Sequence, residues 1–243
     1  MSTVNSEAGY SLTEVLVSTA LGGIILAGVF DLYISSSNSI RGQTNAVQMQ
    51  TDAKAALDYM AKELRLMNGP PTIGANSDTI TFLRVMDSGY SSGGNTLSTL
   101  WDTSKSWLPN IYAPTAEGSY SIKIITGSGV GEIHPLKGNT ATMLTLADTD
   151  TWPPMAIPDV TSLYFIFRNK TFTLLPDQTL RYQQVTGGPL KLLAPNITDL
   201  AFSPNTSDNY ATDITLTART QDKDPRTGNY GQYTITATAQ RRN

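Results

Sequence analysis

Between Val15 and Phe30 no position is charged, and the wider run from Tyr10 to Ile34 carries only Glu14 and Asp31. As a helix that run reaches about 37 Å at 1.5 Å per residue, enough to cross a hydrocarbon core of about 30 Å. Gly22, Gly23 and Gly28 weaken such a helix locally and admit the close approach of another backbone. After Asp31 the chain turns polar. Residues 35 to 52, with their serines, asparagines and Gly42, predict a weaker helix open to bending. In AKAALDYMAKELRLMN, Ala53, Leu57, Met60, Leu64 and Met67 recur alternately four and three residues apart, one stripe on a helical period. Asp58 and Lys62 form a favourable pair on another face. Asn68-Gly69-Pro70-Pro71 predicts the stop.

Beyond Pro71 the period changes to two. Strands are predicted over 79–85, 121–126, 142–146, 162–167, 171–175, 179–185, 189–193, 197–202, 212–220 and 233–240. In the last two, Ile214, Leu216 and Ala218 alternate with threonines, as do Ile235, Ala237 and Ala239. They read as an antiparallel pair with one wet face, joined by QDKDPRTGNYG. Residues 87–118, with SGYSSGGN and few periodic apolar positions, read as a long surface insertion. The expected class is α+β: a long N-terminal transmembrane helix packed on an antiparallel β-sheet head. The expected divisions are a leader at 1–9, a helix at 10–68 and a β-rich head at 69–243. Within the helix, 10–34 is the membrane part and 35–68 packs on the head.

Composition narrows the function. The chain has 243 residues, 15% charged, with a formal net charge of −3. Setting the apolar N-terminus aside, about 170–180 residues remain, enough for one domain with a core. Phosphate affinity needs clustered Lys and Arg, and the one dense basic pair, Arg241 and Arg242, is too small for a groove, so no nucleic-acid partner is expected. There is no cysteine, which rules out a disulfide framework, a thiolate metal site and a Cys nucleophile.

Glu14 needs its own account. A carboxylate well inside a bilayer costs about 2.5–3.5 kcal/mol even on the lenient insertion scale, so it is usually paired and functional. A secretory signal would carry a basic start and a small-residue exit site, whereas MSTVNSEAG lacks Lys and Arg. The pattern G-Y-S-L-T-E followed by an apolar helix resembles the class III signal of type IV pilins and type II secretion pseudopilins. The resemblance implies cleavage by prepilin peptidase after Gly9, N-methylation of Tyr10, and a docking role for Glu14 as fifth residue of the mature chain. There Glu14 would pair with the Tyr10 amine of a neighbouring subunit, an interaction far stronger in low dielectric than in water. Tyr10 stands where the family usually has Phe, and the leader carries acidic Glu7 in place of basic residues. The positive-inside rule therefore gives no orientation, and an outward head is what the resemblance implies. The tail, LLAPNITDLAF then an alternating hairpin then a basic end, together with AALDYMAKELR, is similar to minor pilins of the PilW kind and pseudopilin J of type II secretion.

Little else suggests chemistry. The single histidine, His134 in GEIHPLKG, reads as a loop or surface residue. No zincin, nucleophile-elbow or phosphate-loop motif occurs. Asp148 and Asp150, like Asp222 and Asp224, read as solvated turns in preference to calcium sites. Trp101, Trp107 and Trp152 flank loops, with partial core burial the expectation. The expectation is a non-enzymatic minor pilin with no cofactor and no metal, near a filament tip and serving motility, adhesion or DNA uptake. It would be held in the inner membrane and then exported into a periplasmic or extracellular filament, partnered by other pilin subunits. The alternatives are a minor pseudopilin of type II secretion and a pilus-borne adhesin whose insertion presents Trp101 and Trp107.

Overall fold

The computed structural model describes residues 11–115, 118–184, 188–205 and 211–240. One element dominates the N-terminal side, the helix α1 over Leu12–Leu64. Ser11 caps it: its carbonyl accepts from the Glu14 and Val15 N–H groups, and its Oγ lies 3.3 Å from the Glu14 nitrogen. The helix continues without a break through the Ser/Asn-rich residues 35–52, Gly42 included. It ends at Leu64, ahead of the Gly-Pro-Pro signal. The reason is strand pairing: Met67 bridges Arg84 and the Asn68 N–H donates to Leu83 O. Gly69 follows at φ 80°, a left-handed conformation suited to glycine.

The chain divides into two compact units. One comprises the residues up to Gln48 with Thr220–Gly231, and the other comprises Met49–Arg219 with the segment from Gln232 onward. In the first, the 220–231 loop is closed by hydrogen bonds between Asp224 and Asn229 and between Asp224 and Gly228. Its Asp224 carboxylate lies beside Gly42 of the helix.

Among the described residues the second unit holds twelve strands: β1 (Thr72–Ile73), β2 (Thr79–Tyr90), β3 (Thr99–Trp101), β4 (Ser121–Thr126), β5 (Ile133–Asn139), β6 (Met143–Leu146), β7 (Leu163–Leu174), β8 (Leu180–Gln183), β9 (Lys191–Ala194), β10 (Ile197–Pro204), β11 (Ala211–Arg219) and β12 (Gln232–Gln240). Every pairing is antiparallel. The larger sheet runs β1-β2-β7-β4-β5-β6-β3, with β8 on β7 and β9 on β8; β10-β11-β12 form a smaller one. The α+β class with a long apolar helix and an antiparallel head is therefore observed.

β7 organises the head. One edge pairs with β2 along nearly its whole length, while the other pairs with β4 through residues 163–167 and with β8 through 171–174. The sheet forks there, and each prong carries its own core. Near the helix, Met49, Ala53, Leu57, Met60 and Leu64 pack with Ile80, Phe82, Phe172, Leu200, Phe202, Ile214 and Leu216. Beyond the fork, Leu100, Ile122, Ile124, Leu136, Leu144, Trp152, Tyr164 and Ile166 form a second core. A bulge between Val85 and Asp87 shifts the β2–β7 register where one core gives way to the other.

Three sequence expectations change. The separate strands expected at 162–167 and 171–175 are one strand, because the pairing with β2 runs on through Arg168-Asn169-Lys170. Segment 133–139 is a strand despite Pro135 and Gly138, so His134 is buried at 5% exposure and not a surface residue. Residues 87–118 are not a plain surface insertion. Residues 87–90 extend β2, residues 99–101 form β3, and Leu100, Asp102 and Tyr112 are buried.

Candidate functional site

The surface with the clearest unmet need is the first part of α1. Residues 11–36 are exposed apart from the half-buried Gly22, and this stretch includes Leu16, Ile24, Ile25, Leu26, Phe30 and Leu32. By length and composition the helix can cross a membrane. Glu14 sits in its first turn, where the helix dipole favours a carboxylate. A Cβ added at Gly22, Gly23 or Gly28 would meet nothing within 4 Å. Nothing among the described residues accounts for these glycines. Gly9 and Tyr10, the expected cleavage and methylation positions, lie outside the described residues.

A second constellation fixes the helix end to the sheet. Glu63, 5% exposed, takes an ion pair from Arg84 and a second from Lys170 at 3.0 Å. Lys170, 1% exposed, also donates to the Tyr59 hydroxyl at 2.8 Å and lies over the rings of Tyr59, Phe172 and Tyr182. Burial pulls the Lys170 ammonium below its ordinary pKa, and Glu63 partly restores it. Burial likewise raises the Tyr59 phenol, with the Glu63 charge adding to the effect. Sequence reading missed this group, though a signal was present: Lys170 shares strand parity with Tyr164, Ile166 and Phe172, all on the buried face.

The remaining candidates are structural. Asp87 accepts from the Lys105 ammonium at 2.8 Å, the Trp107 indole N–H at 2.7 Å and the Ser88 N–H. Burial opposes its charge, but those donors outweigh burial and hold the carboxyl below its ordinary range. Asp102 accepts from the Tyr164 hydroxyl at 2.6 Å, and burial followed by this bond pushes the phenol upward. The two aspartates thus pin the 87–118 segment onto β2 and β7. Gly89 is required there, since an added Cβ would lie 2.2 Å from an Asp102 oxygen.

His134 stacks edge-on against the buried Trp152 ring and faces Asp150 at 3.0 Å. Asp150 is therefore not a free turn, and Asp148 pairs with Lys137. Asp222 and Asp224 lie on the 220–231 loop. No group of three or more His, Asp or Glu side chains suited to a metal ion occurs among the described residues. Trp152 is core and Trp107 half-buried, while Trp101 keeps 37% exposure.

Residues 4–30 match the family described as the prokaryotic N-terminal methylation motif. That match spans the expected cleavage glycine, Glu14 and most of the exposed apolar run. It supports a type IV pilin-like or pseudopilin protein, a structural class and not an enzymatic one. Such a signal implies, in general terms, prepilin peptidase processing, membrane anchoring and contact with other pilin subunits. No curated protein and no solved structure matches the chain.

Proposed function

We propose that the protein is a minor pilin, a structural subunit that joins a type IV filament from the inner membrane and acts near its tip. Prepilin peptidase cuts after Gly9, the new amine at Tyr10 is methylated, and Glu14 pairs with that amine on an adjacent subunit. The observation that carries this reading is the exposed apolar run of α1, acidic only at Glu14 and Asp31, inside a matched methylation motif. Such a surface needs lipid in storage and other helices in a filament. The Glu14 charge rewards only a register that brings a cation to it, because an unpaired carboxylate in low dielectric is costly. Supporting the minor role are the head's size and its second core beyond the fork, which give this subunit more surface for choosing neighbours than a repeating shaft subunit requires.

The test has two parts. Mass spectrometry of the mature N-terminal peptide should find methylated Tyr10 as its first residue; a chain that keeps Met1, or is cut beyond Phe30, overturns the reading. Glu14→Ala should leave the protein in the membrane but remove it from sheared filaments. Normal incorporation of that variant overturns the docking role alone.

A further inference from the structure

The inner face of the β2–β7 ladder carries more positive charge than the head balances. The pairs on that face run Ile80–Phe172, Phe82–Lys170, Arg84–Arg168, Asp87–Ile166 and Gly89–Tyr164, from the first core to the second. Two arginines therefore stand directly opposite each other, a placement that destabilises a sheet unless each cation finds an anion. Arg84 finds one in Glu63, which it shares with Lys170. Arg168 does not. The next carboxylate along the face, Asp87, is committed to Lys105, Trp107 and Ser88.

Arg168 makes no ion pair among the described residues. It is half-buried, lies over the Tyr120 ring at 5.6 Å and reaches the Tyr120 hydroxyl only at 3.4 Å. Its Nε is buried and donates to no acceptor. A buried charged N–H without a partner is costly, and in native proteins such groups are few and each has a cause. Its surroundings sharpen the cost. Arg84 and Lys170 bring two positive charges to the single carboxylate of Glu63. Burial first lowers the Lys170 pKa, and the charges of Arg84 and Arg168 add to that effect.

The guanidinium itself defines the missing partner. The Tyr120 ring covers its face, which leaves the planar edge at Nε for an acceptor in the same plane. A carboxylate fits such an edge through two parallel N–H···O bonds. We propose that Arg168, with Arg84 beside it, is a seat for a carboxylate on an acidic side chain of a neighbouring filament subunit. The choice of neighbour rests on the filament reading above, whereas the chemistry of the seat does not. A free small acid would gain only the bonds of one edge, but a side chain on a subunit whose stem already packs is held at high effective concentration. Arg168 is thus a standing cost to the isolated chain that assembly relieves.

Arg168→Met removes the charge and keeps much of the apolar stem. In thermal melts of the full-length protein purified in detergent, this variant should be at least as stable as the unaltered chain, because the arginine has no anion to lose. Sodium succinate, a free dicarboxylate, should raise the midpoint of the unaltered chain by about 2–4 °C more than that of the variant. Sodium chloride of equal ionic strength should give no such difference. In cells Arg168→Met should keep its membrane-stored level and fall about tenfold in sheared filaments, the worth of one charge-assisted pair. Arg168→Lys, which keeps the charge but not the fork, should restore part of that recovery. A variant that melts below the unaltered chain overturns the proposal, since the arginine is then paired within its own chain. Equal succinate shifts overturn the seat, and normal filament recovery overturns the neighbour. Normal incorporation of Glu14→Ala, or a mature chain that keeps Met1, counts against the filament reading instead, and the succinate comparison still decides the seat.

Discussion

Glu63 shows most clearly how single residues tie the stem to the head. Its carboxylate is buried beneath two cations, and Lys170 has no other anion within reach among its described contacts. Removing one partner of a buried pair strands the other, at a cost of about 3–5 kcal/mol, whereas replacing both with apolar groups of similar size is often neutral. Glu63→Leu should therefore destabilise by about that amount in denaturant titration of the detergent-solubilised chain, and adding Lys170→Met should recover most of the loss. If the double variant is no more stable than the single, the lysine is held by its aromatic neighbours and not by Glu63. Asp87 gives a pH-dependent counterpart. Its carboxyl lies below the ordinary value in the folded chain, so its contribution is complete above the unfolded value near 3.8 and is lost as pH falls through the lowered folded value. Asp87→Asn should cost about 1–3 kcal/mol at neutral pH and reduce the loss of stability seen on acidification. An unchanged acid limb would show that Asp87 is not the group responsible.

At the scale of elements, α1 contains glycines that nothing among the described residues explains. Gly22, Gly23 and Gly28 each cost the helix about 1 kcal/mol relative to alanine, and no atom among the described residues lies where their side chains would be. In the proposed filament, close packing of neighbouring helices would supply the missing reason. Gly28→Ala should leave the membrane-stored level unchanged and reduce the amount recovered in sheared filaments; equal recovery would mean that the glycine is not at a helix contact. Elements differed in how legible they were. The stripe from Ala53 to Leu64 announced the packed half of α1, and the alternation in 212–220 and 233–240 announced β11 and β12. β5 was hidden because Pro135 and Gly138 mask its period, although His134, Leu136 and Gly138 all point inward. β7 looked like two strands because Arg168-Asn169-Lys170 interrupts the apolar run. Only the parity of Lys170 with Phe172 hinted that the polar residues were part of the same strand.

For the whole molecule, the sequence separates into a part that advertises its role and a part that does not. Glu14 stands out as a candidate because a lone carboxylate in an apolar run has few physical uses, and the methylation motif covers the same residues. The second core was unreadable because its members come from five strands and two loops, with Tyr112 and Trp152 brought in from irregular segments. Burial assembled through nonlocal contacts leaves no period to detect.

The fork in β7 has a mechanical corollary. β7 runs from the second core, at Tyr164 and Ile166, to the first, at Phe172, and β2 pairs with it along the way, so the two ends of the head share one ladder. Disorder starting in the remote loops would unzip the very ladder on which the stem sits, and the head should melt as one cooperative block. A lesion in the second core would then be felt where residues 49–64 of α1 pack on the sheets.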